Sequence, residues 1–567
     1  MQRYQNYVQG QWIDGEGVET KLYNAITGEQ FGECSSAGLD YEAILAYGRK
    51  TGASVIKKMT FQERGRMLKA LALYLMDRKE KYYQVSAWSG ATRVDSWIDI
   101  EGGIGNLFAN ASLRRQFPDL PYYIDGPAVP MSKNGTFMGH HIMVPKDGVA
   151  VHINAFNFPI WGMLEKIAVN LMAGVPAIVK PSEYTCYLTE VMVRDIIDSK
   201  ILPEGSLLLV VGLGRVIIDH VNNTDIVTFT GSAHTGNLLR TSPRIVNENV
   251  TFNLEADSLN ASILGEKAVP GTVEFDLFIK EVTKEITIKA GQKCTSVRRI
   301  IVPENLIDEV QAAVSKRLAS TAIGDPAAEG VRMGALATKT QVDRVKENVA
   351  LLQQSQEIVF GDVDNFEVIG ADREKGAFIS PILFRNDDPF HKTAVHDIEC
   401  FGPVSTIMPY KNLDDAIELA RMGKGSLVSS IVTPCDKEAT DYVLGAATMH
   451  GRILVLNEKS AKESTGHGSP MPLLTHGGPG RAGGGEEMGG KRGIMHYLHR
   501  TAIQGHPNTI TAITQVYQQG AEGRQIPVHP FKKHYEELEV GDQLITESRL
   551  ITPEDIDTFA ALSGDNF

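Results

Sequence analysis

The stretch VAVHINAFNFPIWGMLEKIAVNLMAGVPAIVKPSE, residues 149–183, decides the fold. It opens on a short apolar, β-rich run (149–153), passes through a helical stretch, and returns to a second such run (175–179). Downstream the same rhythm continues at 207–211, 226–229 and 250–254. Short buried strands alternating with helices predict β-α units and a mostly parallel, doubly wound sheet. A second series, 300–302, 404–408, 427–432 and 453–456, predicts a second α/β domain. Open sheets of this kind bind ligands beyond the carboxyl ends of their strands, so functional groups are expected there in both series. Upstream, residues 60–79 read as a packing helix. Thr60 and Glu63 form a capping box, and Met67, Leu68, Leu71, Leu75 and Met76 form one apolar stripe.

Composition bounds the function. The 567 residues are 43% hydrophobic and 22% charged, ordinary for a soluble globular protein, and suffice for several domains. The net charge is -13 with no long basic block, which argues against nucleic-acid binding. No apolar run approaches about 18 residues, so no membrane span is expected. The first residues lack a signal peptide, and a cytoplasmic protein is expected. The five cysteines (34, 186, 294, 400, 435) are scattered, without C-x-x-C or H-E-x-x-H, so neither a disulfide framework nor a metal site is expected.

Cys294 stands in Ala290-Gly291-Gln292-Lys293-Cys294-Thr295. A flexible Gly-Gln step would let the thiol project into a cleft, and Lys293 would lower its pKa. A buried structural cysteine reads equally well from this segment alone. Glu255 ends an apolar run. Facing an apolar cleft, its pKa would rise and suit a general base; a solvated carboxylate is the plainer alternative. Asn157, beside a rigid Phe-Pro turn, would donate to an oxyanion or simply cap the turn. Lys180-Pro181-Ser182-Glu183 suits ribose hydroxyls or a phosphate, or forms a capped turn. Phe229-Thr230-Gly231-Ser232 reads as strand, glycine turn and helix N-cap, offering N–H groups to a pyrophosphate. Gly212-Leu213-Gly214 fails as a dinucleotide fingerprint, because Ile217 stands at the third position. The glycine-rich residues 476–490 read as a flexible loop near a site or a mere connector, and 505–530 as a polar linker.

Six of these motifs together resemble the aldehyde dehydrogenase superfamily over about residues 5–500. They are Asn157-Phe158-Pro159, Lys180-Pro181-Ser182-Glu183, Phe229-Thr230-Gly231-Ser232, Leu254-Glu255, Gly291-Gln292-Lys293-Cys294 and Glu399-Cys400-Phe401-Gly402-Pro403. The resemblance implies Cys294 as nucleophile, Glu255 as base, Asn157 as oxyanion donor, and Lys166 as a lysine near the base in a relay or a structural pairing. It implies that Lys180, Ser182, Glu183, Gly231, Ser232, Glu399 and Phe401 hold the cofactor. It also implies the fold: a Rossmann-like nucleotide domain (1–258, with a bridging hairpin at about 118–145), a catalytic domain (259–460), a return to the nucleotide domain and a bridging strand (461–505), and a linker (506–530). Homo-oligomers built from dimers are implied as well. Ala256, Asp257 and Phe156 depart from the family's usual residues.

Residues 466–490 and the tail narrow the resemblance to the bifunctional enzymes of phenylacetate degradation. These join a semialdehyde dehydrogenase to an oxepin-CoA hydrolase with a MaoC-like hot-dog domain. This implies a CoA-linked substrate, 3-oxo-5,6-dehydrosuberyl-CoA semialdehyde, and NADP, with NAD possible from Glu183. Residues 531–567 would be an incomplete start of the hot-dog domain, with Asp565 its aspartate and hydratase activity expected only in a full-length form. The rivals are a semialdehyde dehydrogenase of another CoA-dependent aromatic pathway, a CoA-acylating dehydrogenase, and a non-catalytic binding protein on this fold.

Overall fold

A computed structural model describes residues 1–486, 489–522, 538 and 551–563. The chain divides into two compact units, residues 1–124 with 142–501 and residues 125–141 with 502–567.

The first unit holds two seven-stranded sheets. In the first, β1 (Asn6–Val8), β2 (Gln11–Ile13), β3 (Ala150–Ile153), β4 (Ala177–Lys180), β5 (Leu207–Leu209), β6 (Ile226–Thr230) and β7 (Thr251–Glu255) lie in the order β7-β6-β3-β4-β5-β1-β2. The five strands from β7 to β5 are parallel, and the N-terminal hairpin adds an antiparallel edge. Alternate residues face opposite ways. Ala177 and Val179 join a core with helices α1 (Phe61–Met76), α2 (Arg93–Ser112) and α3 (Pro159–Ala173), while Ile178 joins the core on the other face. A sheet buried on both faces needs continuous apolar runs, which is why these strands read so plainly. The capping box of Thr60 and Glu63 on α1 is present.

The second sheet contains β8 (Asn260–Leu264), β9 (Val297–Pro303), β10 (Glu357–Phe360), β11 (Ile382–Arg385), β12 (Val404–Tyr410), β13 (Ser426–Val432) and β14 (His450–Leu456), in the order β10-β11-β12-β9-β8-β13-β14. All pairs are parallel except β10 with β11. Three of these strands, β8, β10 and β11, escape the sequence reading. β8 sits mid-sheet with Asn260 and Ser262 buried, polar positions that break an apolar pattern.

Met138–Pro145 is the middle strand of a three-stranded sheet, between Tyr123–Pro130 and Leu498–Gly505. In the second unit, Pro507–Thr514 is helical, so the stretch read as a linker begins as a helix capped by His506. A further helix covers Pro553–Ser563. Asp565 lies outside the described residues, as does most of 531–567. Among the described residues no helix is long and apolar enough to cross a membrane.

Candidate active site

The first sheet runs outward from β3 in both directions, to β4 and β5 on one side and to β6 and β7 on the other. This is a topological switch point, where the loops after neighbouring strands part and leave a crevice. The residues after β3 (Asn154 to Asn157), the end of β4 (Lys180), the end of β6 (Thr230) and the end of β7 (Glu255) all open onto it.

The loop bearing Asn157 is held from several sides. Buried Asp99 of α2 accepts from Ile160 N (3.0 Å) and Trp161 N (2.7 Å), capping α3 directly after the loop, and Thr185 Oγ1 donates to Phe156 O at 3.0 Å. Lys166 of α3 donates to Thr230 Oγ1 (2.9 Å) and to Glu165 Oε1 (3.3 Å), tying the helix to the end of β6.

Cys294 arrives from the second sheet at the amino end of β9, not at a carboxyl end. Glu399 and Phe401 likewise precede β12. The expectation of carboxyl-end placement in both series therefore fails for the second, whose strand starts face the crevice. Nor is the turn before Cys294 a flexible step. Lys289, Ala290 and Gly291 are all left-handed (φ 52°, 49° and 68°). Lys289 N donates to Asp95 Oδ1 (2.7 Å), Ala337 N donates to Gln292 Oε1 (3.0 Å), and Arg298 donates to both Gly291 O (2.8 Å) and Gly402 O (2.6 Å). Two non-glycine residues in this region store roughly 1–2 kcal/mol each, which the surrounding hydrogen bonds must offset. Asn260 Nδ2 donates to Cys294 O at 2.8 Å and fixes the peptide after the thiol.

Two cavities meet at this point. One, about 680 Å³, is lined by Lys180, Ser182, Glu183, Arg215, Gly231, Ser232, Glu399 and Phe401. The other, about 480 Å³ and largely apolar, is lined by Trp97, Phe158, Trp161, Met471 and His476. Asn157, Glu255 and Cys294 belong to the walls of both.

Electrostatics here differ from the sequence expectation in two respects. Burial pushes the Cys294 thiol well above its usual pKa, and the neighbouring Glu255 charge pushes it further. Lys293 pulls the other way but only weakly, because its ammonium is paired with Glu285 (3.0 and 2.9 Å). Burial alone would raise Glu255, as expected from an apolar cleft. The imidazole of His476, 3.1 Å away, and the charge of Lys166 outweigh it and hold the carboxyl below the ordinary range. The resting site therefore pairs a neutral thiol with an ionised carboxylate.

The larger cavity fits an adenine dinucleotide. The amide of Asn154, both atoms buried, and Glu399 Oε1 have no hydrogen-bond partner among the described residues, although polar groups at such depth need one. Lys180 Nζ lies 3.3 Å from Glu183 Oε2. Ser232 caps α4 (Ala233–Arg240), its Oγ accepting from Thr235 N at 3.2 Å. The amides expected to bind a pyrophosphate there are largely engaged: Gly231 N donates to Glu255 O (3.2 Å) and Ala233 N to Asp257 Oδ1 (2.9 Å), so an anion at this helix end competes with Asp257.

Sequence reasoning missed Asn154, Asn260, Arg298 and His476. The glycine-rich run contained the signal for His476. Its residues lie along β7, with Ala256 N donating to Ala482 O (3.0 Å) and Gly485 N to Leu254 O (3.1 Å). A Cβ on Gly483 would meet Leu254 O at 2.2 Å, so these glycines allow backbone to approach backbone.

Residues 12–503 match the aldehyde dehydrogenase family. The chain is 42% identical over 475 residues to a 3,4-dehydroadipyl-CoA semialdehyde dehydrogenase of Aromatoleum evansii, covering 84% of this chain and 92% of the relative. It is 47% identical over 236 residues to Protein MaoC of Klebsiella aerogenes, 41% of this chain and 69% of that protein. Among solved structures, a betaine aldehyde dehydrogenase from Staphylococcus aureus superimposes with a TM-score of 0.77 at 20% identity, covering 92% of this chain and 98% of that one. A 3,6-anhydro-L-galactose dehydrogenase does so with 0.77 at 24%, covering 89% and 100%.

Proposed function

Because this chain belongs to the aldehyde dehydrogenase family, we propose that it oxidises a CoA-linked semialdehyde to the carboxylic acid through a thioester on Cys294, with NADP⁺ as the preferred hydride acceptor. The observation that carries this reading is that Cys294, Glu255 and Asn157 form the common wall of a polar, dinucleotide-sized cleft and an apolar cavity.

Glu255 first draws the proton from the Cys294 thiol. The thiolate attacks the aldehyde carbon, and the Asn157 amide with the Cys294 N–H holds the oxyanion. A bound nicotinamide supplies the acceptor for the hydride that leaves this adduct, and an acyl thioester remains on Sγ. Glu255, having passed that first proton on to solvent, next takes a proton from water, whose oxygen attacks the thioester and expels the thiolate. Lys180, Ser182, Glu183, Gly231 and Ser232 would hold the adenosine side of the cofactor, and Glu399 and Phe401 the nicotinamide side. Lys180 and Arg215, both lining the larger cavity, offer positive charge to a 2′-phosphate, while Glu183, paired with Lys180, opposes it. That balance favours NADP⁺ and leaves NAD⁺ usable.

The apolar cavity suits an alkenyl semialdehyde chain. The specific substrate proposed is 3-oxo-5,6-dehydrosuberyl-CoA semialdehyde. The shorter 3,4-dehydroadipyl-CoA semialdehyde is the alternative, favoured by the name of the Aromatoleum relative. The test is cofactor reduction on CoA-linked and free aldehydes with both NAD⁺ and NADP⁺, using wild type and Cys294→Ala. The variant should bind cofactor and lose turnover; retained turnover refutes the assignment.

A further inference from the structure

Three side chains able to ligate a metal meet where the two cavities join, from segments far apart in the chain. Glu255 ends β7, Cys294 stands in the turn before β9, and His476 opens the glycine-rich run 476–490. His476 Nε2 lies 3.1 Å from Glu255 Oε2, and an imidazole nitrogen, a carboxylate oxygen and Cys294 Sγ all lie within 4.8 Å of one another. No motif spacing announces the group, because each ligand comes from a different segment. A tetrahedral zinc holds nitrogen, oxygen and sulfur donors about 2.0–2.3 Å away, hence roughly 3.3–3.8 Å from one another. Small side-chain movements therefore suffice for the three atoms to enclose one ion. Both oxygens of Glu255 are buried and lack a hydrogen bond of good geometry among the described residues, although polar atoms at such depth need a partner. The main chain holds the histidine in place. Gly477 bridges to Glu486, and a Cβ on it would meet Gly485 O at 2.1 Å, so backbone packs directly on backbone beside the imidazole.

We propose that Cys294 Sγ, His476 Nε2 and Glu255 Oε2 form a binding site for a thiophilic divalent cation such as zinc, and that the bound ion reversibly blocks the enzyme. Sulfur, imidazole nitrogen and carboxylate oxygen are the donors zinc takes, and a fourth position is left to water from the cavity. Thiolate and carboxylate supply two negative charges and the imidazole none. The complex with a doubly charged ion is then neutral, as a buried and largely apolar setting requires. The positive imidazole now beside Glu255 already puts a cation in this place, and the metal substitutes for it. Bonds form from the ion to sulfur, nitrogen and oxygen, while the protons of the thiol and the imidazolium pass to solvent. The other ionisable groups facing the site are Lys166, Glu165 and Lys293. Lys166 donates to Thr230 Oγ1 and Glu165 Oε1, and Lys293 is paired with Glu285, so both ammonium charges are partly compensated within the protein. An ion has a way in, since Glu255 and Cys294 line both cavities and His476 lines the apolar one. Once bound it occupies nucleophile and base together. The blocking effect rests on the dehydrogenase reading above; the coordination does not.

The experiment uses the whole chain, stripped of metal by a chelator and then titrated with zinc chloride or cobalt chloride in the absence of aldehyde. Cobalt reads the ligands, because a bound thiolate gives a charge-transfer band. Zinc is read by the rate at which a thiol reagent labels Cys294, resolved by peptide mass. Equimolar zinc should slow that labelling by about tenfold or more, and EDTA should restore it. Cobalt should give the charge-transfer band in wild type and not in Cys294→Ser. His476→Gln and Glu255→Gln should each weaken zinc binding by about tenfold or more, with circular dichroism confirming that each is folded; should one not fold, the other carries the test. Labelling that zinc leaves unchanged would overturn the proposal. So would a charge-transfer band that survives Cys294→Ser, or zinc binding as tight in the folded His476 and Glu255 variants as in wild type, which marks an ion held elsewhere or by the thiol alone. With aldehyde and cofactor added, zinc should stop reduction and EDTA should restore it; zinc bound at these ligands without slowing reduction overturns the blocking role. A metal-free chain that reduces no cofactor with any aldehyde refutes the dehydrogenase reading, while the spectra and labelling still judge the site.

Discussion

Replacing Gly291 with Ala should damage both stability and catalysis, by amounts the geometry sets. The residue has φ 68°, a left-handed conformation that costs an L-residue roughly 1–2 kcal/mol. Its new Cβ would lie 2.1 Å from Gly402 O and 2.3 Å from Gly402 C. These are backbone atoms and cannot swing aside, so relief requires main-chain movement, typically about 1–3 kcal/mol for an overpacked site. Together the loss is about 2–5 kcal/mol. The movement also reaches the chemistry. Arg298 bridges Gly291 O and Gly402 O, and Cys294 lies three residues further on. A shift of the nucleophile by about 1 Å can cost on the order of a hundredfold in rate. Thermal melting should fall by several degrees, and turnover should drop far more than the rate of thiol labelling at Cys294. A variant that melts within a degree of wild type and keeps half its turnover would refute the reasoning about this turn.

Three other perturbations follow from the site. Lys293→Met strips Glu285 of its partner in a buried ion pair and should cost about 3–5 kcal/mol in denaturant unfolding, whereas the double change Lys293→Met with Glu285→Leu should recover much of it; equal losses in single and double variants would show that the pair is not what the lysine serves. Burial pushes Glu399 up to about 7 despite Arg298 nearby, so the folded chain binds this proton more tightly than the unfolded one. Its contribution is complete below the ordinary carboxylate range and shrinks as pH rises toward 7, by about 3 kcal/mol at most, and Glu399→Gln should flatten that part of the stability profile; an unchanged profile contradicts it. Asp257→Ala removes the carboxylate competing for the N-terminus of α4, and fluorescence titration should show cofactor binding tightened by up to about fivefold, the 1 kcal/mol of a charge at a helix end; weaker or unchanged binding argues that Asp257 is not in the anion's way.

What the sequence alone determined was whatever local energies encode. Thr60 and Glu63 cap α1 within a single turn, and runs such as Ala177-Ile178-Val179 are apolar at every position because both faces of their sheet are covered. The ordered motifs also identified Cys294, Glu255 and Asn157, which the fold brings together. Tertiary structure alone decided what depends on neighbours distant in sequence. Strand β8 is legible only when Asn260 is seen giving its amide to Cys294 O and Ser296 O. The reversed shift of Glu255 is legible only when the loop along β7 delivers His476 beside it. A strand or a cap is set by residues a few positions apart, whereas a buried charge takes its pKa from whichever side chains packing places within a few ångströms.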